Sequence, residues 1–180
     1  MIKNKIINIG LLFIVLTAVL SSCGVSSVKI RGINYGVNLT ELDLSGRNLT
    51  DADIAPLINM KNLKYLYLSD NKITNVSALR NMSKLTYLYI DGNKITDINA
   101  LSGLTKLSYL QMEYNKISDI KALSKLTNLT VLYLSGNNIT DVGALKSLTN
   151  LTFLDVSGNG LDQSERDALK TALPDCYISY

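Results

Sequence analysis

Five asparagines stand 22 residues apart in this chain: Asn71, Asn93, Asn115, Asn137 and Asn159. Each belongs to one pattern, Leu-x-x-Leu-x-Leu-x-x-Asn-x-Ile. It reads Leu63, Leu66, Leu68, Asn71, Ile73, then Leu85, Leu88, Ile90, Asn93, Ile95. It continues as Leu107, Leu110, Met112, Asn115, Ile117 and as Leu129, Leu132, Leu134, Asn137, Ile139. A last copy reads Leu151, Leu154, Val156, Asn159, Leu161. A variant copy precedes them, Leu39, Leu42, Leu44, with Arg47 where the others have asparagine and 24 residues to the next. Self-similarity at such a period marks a stacked architecture, in which each unit buries its apolar edge only against its neighbours.

Each part of the unit has a physical task. The Leu-x-Leu core alternates with period two, so it forms a short strand with one buried face. Strands repeated in this way stack in parallel at about 4.8 Å per unit. Where the chain leaves the strand its backbone polar groups leave the sheet and still need partners. An amide side chain both donates and accepts, so the five asparagines are expected to be buried and to bond those turning backbones. The return path, Asp97-Ile98-x-Ala100-Leu101-x-x-Leu104 and its counterparts from Asp119 and Asp141, suits a capped helical turn. The reading is an α/β leucine-rich-repeat solenoid: a curved parallel β-sheet, short helical turns on the convex side and a C-terminal helix–strand cap.

That cap occupies residues 162–180. Ser164-x-x-Asp167 reads as a capping box. Ala168, Leu169, Ala172 and Leu173 make an apolar helical stripe that Pro174 stops. Cys176–Tyr180 reads as a last edge strand, with Cys176 a small apolar residue of the cap. At the other end, Val28-Lys29-Ile30-Arg31 alternates like a strand and is expected to pair with the first repeat.

The repeats at 39–161 resemble the internalin-type leucine-rich repeats of bacteria. That family often has proline where Ala78, Ala100, Ala122 and Ala144 stand here. The resemblance implies a non-catalytic binding module.

Residues 1–22 have the three parts of an export signal. Lys3 and Lys5 give a positive start, Ile6–Leu20 is largely apolar, and Leu20-Ser21-Ser22-Cys23 follows. The apolar run of about 15 residues is short for a bilayer span, which needs roughly 20, and fits a signal-peptide core. Leu20-Ser21-Ser22-Cys23 resembles a bacterial lipobox. The resemblance implies cleavage before Cys23 and a lipid on it. The plainer alternative is an ordinary signal peptide followed by an incidental cysteine. Residues 23–38 then serve as lipid-anchored tether and N-terminal cap strand, and the protein is expected in the bacterial cell envelope, outside the cytoplasm.

Composition narrows the function. The chain has no histidine, hence neither the commonest general base nor the commonest metal ligand. No nucleophile–base pair, metal cluster or phosphate loop is legible, so no enzyme, cofactor or metal is expected. The formal charge is +3, and setting aside Lys3 and Lys5 leaves 16 cationic residues against 15 acids. Nothing in that balance points to nucleic acid.

If the leucines of each strand point inward, their neighbours point out. The residue before the central leucine is Glu41, Tyr65, Tyr87, Tyr109, Val131 and Phe153 in successive repeats. The residue after it is Asp43, Tyr67, Tyr89, Gln111, Tyr133 and Asp155, and two steps on come Ser45, Ser69, Asp91, Glu113, Ser135 and Ser157. The concave face thus has two aromatic columns, acids around them, Tyr114 beside them, and no lysine or arginine in those columns. Stacked tyrosines stabilise neighbouring strands, which is one explanation. The other is recognition of a protein or peptide, because tyrosine is enriched in binding cores. Glycan stacking is a lesser use of the same rings, and a structural envelope protein without a ligand is the remaining class. Lys72, Lys94 and Lys116 form a column beside the asparagines and read as a solvated rim, with a rail for an anionic ligand as the alternative. Seven Asn-x-Ser/Thr triplets follow from the repeat pattern.

Overall fold

A computed structural model describes residues 26–180. Residues 1–25, on which the expected export signal and Cys23 fall, lie outside the described residues. Six repeat strands run in sequence order: β3 (Glu41–Asp43), β4 (Tyr65–Tyr67), β5 (Tyr87–Tyr89), β6 (Tyr109–Gln111), β7 (Val131–Tyr133) and β8 (Phe153–Asp155). Each pairs in parallel with the next, leucine opposite leucine, from Leu42↔Leu66 to Leu132↔Leu154. A seventh strand, β9 (Tyr177–Ser179), joins β8 and completes the sheet.

The return segments are short helical turns. After β3 come α1 (Asp51–Ile54) and a 3₁₀ turn at Ala55–Asn59, followed in later repeats by 3₁₀ turns at Ser77–Leu79, Asn99–Leu101, Lys121–Lys125 and Gly143–Ser147. Asp97, Asp119 and Asp141 each accept the amide two residues on, at 2.7–2.9 Å, which starts the turn. Strands stack at about 4.8 Å and helical turns are bulkier, so the strand side is the inner, concave face. Between the two sides lies a core in which Leu66, Leu88, Leu110 and Leu132 from the strands are fully buried, as are Leu79, Leu101, Leu123 and Leu145 from the turns.

The asparagine column is as expected in kind. The Asn93 amide donates to the carbonyls of Leu68 (3.0 Å), Ile90 (3.1 Å) and Asp91 (3.1 Å), and its oxygen accepts the Ile73 amide at 3.0 Å. One side chain thereby joins two successive turns. Asn71, Asn93, Asn115 and Asn137 are buried. Asn159 corrects the expectation of five buried asparagines: it is only half-buried, because no further repeat covers it, although it makes the same bonds to Leu134, Val156 and Ile139.

Two terminal expectations are also corrected. The N-terminal strand β1 (Ser27–Ile30) does not pair with the first repeat. It forms an antiparallel hairpin with β2 (Ile33–Gly36) as a separate two-stranded sheet. Arg31 and Gly32, both at positive φ (47° and 85°), make the two-residue turn, the form that suits a hairpin's twist. Val28, Ile30 and Tyr35 are buried against the core. At the other end the helix α2 (Gln163–Ala172) is not capped by Ser164 and Asp167. Its N-cap is Asp162, extended and accepting the Glu165 amide at 2.9 Å. The cap lies two residues earlier because Asp162-x-x-Glu165 has the same spacing, while Asp167 sits inside the helix and accepts from Gln163. The Glu165 carboxylate crosses to the Val142 amide (2.9 Å) and ties the cap to the fifth repeat. Leu169 and Leu173 bury the helix against the core. Cys176 is half-buried against it, and burial pushes its thiol pKa up, away from reactivity.

Candidate binding face

Alternation along each strand places the outward columns on one surface. Seven ring contacts run through it. Tyr65 stacks on Tyr87 (centroids 4.9 Å, planes 19° apart) and Tyr67 on Tyr89 (4.7 Å, 19°). Both columns converge on Tyr109, which lies 5.8 Å from Tyr87 and 4.9 Å from Tyr89. Val131 interrupts the first column, and Tyr133 of the second bridges the gap, 5.9 Å from Tyr109 and 4.9 Å from Phe153. Phe153 then stacks on Tyr177 of the cap strand (5.7 Å, 19°). The sequence pattern placed Tyr65, Tyr67, Tyr87, Tyr89, Tyr109, Tyr133 and Phe153 on this face, and the structure brings them into one continuous pile. Tyr177 was missed, since the cap has no repeat motif to give its register. Its signal was the alternation of Tyr177-Ile178-Ser179, which copies Phe153-Leu154-Asp155.

Between β4 and β5 the ring spacing, 4.9 and 4.7 Å, matches a strand spacing of about 4.8 Å. The four stacked pairs cover one another's ring faces, and the three tilted contacts link them. Tyr109 is half-buried at the meeting of the columns: burial first, then Tyr89 and Tyr133, push its phenol well above the usual tyrosine range. Its hydroxyl donates to Gln111 Oε1 at 3.1 Å. The central acids are held by serines of the neighbouring repeat. Ser69 Oγ donates to Asp91 Oδ1 (2.5 Å), and Ser135 Oγ to Glu113 Oε1 (2.8 Å). These pairs fix carboxylates on the face without neutralising them.

Tyr114 lies on the rim and is 69% exposed, the largest exposure among the bulky apolar and aromatic residues described. Its backbone is left-handed (φ 51°), at a repeat position that is otherwise Gly46, Asp70, Gly92, Gly136 and Gly158, all at positive φ. Its ring lies over Gly136, where an added β-carbon would come within 2.7 Å of Tyr114 Cδ1. Lys72, Lys94 and Lys116 are exposed along the same rim, and their amides bond the carbonyls of Leu49, Ile73 and Ile95 in the preceding repeat. The column is thus at least structural through its backbone. Among the described residues no group of three or more His, Cys, Asp or Glu is placed to hold a metal ion, and no helix is long and apolar enough to cross a membrane.

Leucine-rich-repeat family models match residues 37–95, 83–125 and 127–170. Solved structures align over most of the chain. An internalin from Listeria monocytogenes has 33% identity and a TM-score of 0.68 over 71% of this chain and 37% of its own. A leucine-rich-repeat protein of Leptospira interrogans has 30% identity and a TM-score of 0.75, covering 80% of this chain and 38% of its own. Internalin C2 of Listeria monocytogenes has 29% identity and a TM-score of 0.56, covering 77% and 69%. The chain therefore spans little more than a third of the first two. Among curated proteins no match is found. With the matched models running almost without break from residue 37 to residue 170, and the same stacked strands and turns in its neighbours, the chain is a leucine-rich-repeat protein of internalin-like repeat type.

Proposed function

We propose that this protein is an envelope-tethered, non-catalytic module that recognises a protein or peptide on its concave aromatic face. The observation that carries the reading is the ring pile from Tyr65 to Tyr177, half-exposed along the inner face, with acids along it and no cation in its columns. Such a surface combines rigid apolar area with fixed hydroxyls and carboxylates, the make-up of a binding core. Protein binding is also the common use of leucine-rich repeats. Because ring faces are turned on one another, a glycan would meet mostly ring edges, which favours a polypeptide partner. Tethering rests on the lipobox-like Leu20-Ser21-Ser22-Cys23 alone.

The test is capture of partners by the full chain, followed by a matched pair of variants. Tyr87→Ala with Tyr109→Ala is expected to weaken capture at least tenfold, in line with central aromatic anchors, in a protein that melts lower for the loss of four ring contacts but stays folded at the assay temperature. Lys121→Ala with Lys146→Ala, on the convex side, is expected to do little. Loss in the lysine pair alone would place the functional surface on the convex side and overturn the concave reading.

A further inference from the structure

Six acids, Glu41, Asp43, Asp70, Asp91, Glu113 and Asp155, stand in the outward columns or at the repeat position of Tyr114, and none of the 16 cationic residues after Cys23 stands at those positions, the nearest lysine column being Lys72, Lys94 and Lys116. The acids are not equivalent. Asp91 and Glu113 already accept serine hydroxyls at the centre. Glu41 and Asp43 stand at the N-terminal end of the sheet, both exposed, in direct register with Tyr65 and Tyr67. The rings of β4 are stacked by β5 on one side only. Stacking runs along the strand-to-strand direction, so the second face of each ring is turned toward β3, where the residues in register are carboxylates rather than rings.

We propose that Tyr65, Tyr67, Glu41 and Asp43 form a cation-accepting corner that takes a basic side chain, arginine or lysine, of the polypeptide partner. The inference rests on the concave-face reading above and deepens it by fixing the partner's chemistry and its end of the groove. An aromatic face attracts a cation through its quadrupole, and guanidinium most often occupies such sites. A carboxylate beside it supplies charge-assisted hydrogen bonds. The potential there is already negative: after burial, the Glu41 carboxylate and then Tyr89 and Asp43 raise the Tyr67 phenol above its usual range. Asp43 is fixed by its acceptance of the Ser45 amide (2.9 Å). Arg47, close by, donates to the Tyr35 hydroxyl (2.8 Å) and the Asp43 carbonyl (3.2 Å).

The experiment titrates the full chain with a synthetic hexapeptide of alternating arginine and serine, and with its twin in which citrulline replaces arginine. Binding is measured calorimetrically at low ionic strength. Wild type is expected to prefer the arginine peptide about tenfold or more. Glu41→Gln with Asp43→Asn, which keeps shape and the Ser45 bond, is expected to remove most of that preference. Asp91→Asn with Glu113→Gln is expected to remove less. Equal affinity for the two peptides, no binding of the arginine peptide up to millimolar concentration, or a larger loss from the central pair overturns the corner. The two readings fail separately. A captured partner that depends on Tyr87 and Tyr109 but is indifferent to Glu41 and Asp43 leaves the concave face standing without the corner. A partner indifferent to the tyrosines removes the concave-face reading itself.

Discussion

Arg31 holds Asp53 with both arms of its guanidinium, Nε to Oδ1 at 2.9 Å and Nη2 to Oδ2 at 3.0 Å, and so fastens the N-terminal hairpin to the first repeat. The same carboxylate accepts the Thr50 amide and hydroxyl, each at 2.8 Å, at the start of α1. One side chain thus closes a helix turn and a tertiary contact together. Hydrogen bonds from Arg31, then those from Thr50, hold its pKa well below the usual carboxylate range.

A pH dependence follows from that depressed value. A carboxylate whose folded pKa lies below its unfolded one, near 3.9, stabilises the fold above that unfolded value and loses its contribution as pH falls toward the folded one. Asp53→Asn is therefore expected to lower the melting midpoint near neutral pH. The gap to wild type should narrow between about pH 5 and pH 2. Melts of both proteins across that range check it, and a gap constant with pH would assign the loss to something other than the carboxylate's charge.

The asparagine column predicts a graded series. Asn115 donates to the carbonyls of Ile90, Met112 and Glu113 and accepts the Ile95 amide in a buried setting. Asn115→Ala leaves the buried Ile95 amide without a partner, an orphan that costs about 1–3 kcal/mol, while the three carbonyls keep Asn93, Asn137 and the Gly92 amide as donors. With the lost amide bonds added, a loss of about 2–4 kcal/mol is expected, a large part of a domain's ~5–15 kcal/mol. Asn159→Ala removes similar bonds where water can replace them, so about 1–2 kcal/mol is expected. Chemical denaturation of both variants measures the difference. Equal losses would show that burial does not set the cost.

Much of this was legible before any coordinates, and the boundary between legible and illegible is physical. Repetition fixed the strands and the asparagine bonds, because Leu66, Leu88 and Leu110 meet identical surroundings and report the same backbone. It failed where repetition stops. The helix cap was read at Ser164 when Asp162 performs it, since two capping pairs of equal spacing, Asp162 with Glu165 and Ser164 with Asp167, compete and only the docking of Leu169 and Leu173 chooses between them. The hairpin of residues 27–36 needed Arg31 and Gly32 read as a turn. Arg31 to Asp53 spans 22 residues without a shared motif. On the face itself the columns were legible, but not their merging at Tyr109, which Tyr89 reaches where Gln111 breaks its own column and from which Tyr133 carries the pile past Val131.

The C-terminal segment is expected to behave as a cap. Strand β9 pairs with β8, and Leu169 and Leu173 join the core above Leu154 and Val156, which are 0% and 2% exposed. Deleting residues 162–180 uncovers those side chains, each worth about 1.5–3 kcal/mol when fully exposed. The truncated chain should melt markedly lower, and the last repeat should exchange its amide hydrogens fastest. An unchanged midpoint would show that the segment covers nothing the repeat needs.

Tyr114 gives the sharpest contrast between stability and recognition. In a left-handed backbone an L-residue is disfavoured by about 1–2 kcal/mol, a cost glycine escapes. At an ordinary helical or extended position glycine is less stabilising than alanine by roughly 0.5–1 kcal/mol. At residue 114, with φ at 51°, the order should reverse. Tyr114→Gly is expected to be more stable than Tyr114→Ala by about 1 kcal/mol, because both lose the ring and only glycine loses the strain. Comparing these two variants isolates the backbone from the ring's packing over Gly136. Both should weaken capture of a concave-face partner alike, since both remove a rim ring that is 69% exposed. A strained residue retained where four of six repeats have glycine fits a site selected for contact rather than stability. If Tyr114→Gly proves less stable than Tyr114→Ala, the strain is absent. If capture survives both, the ring serves only to cover Gly136.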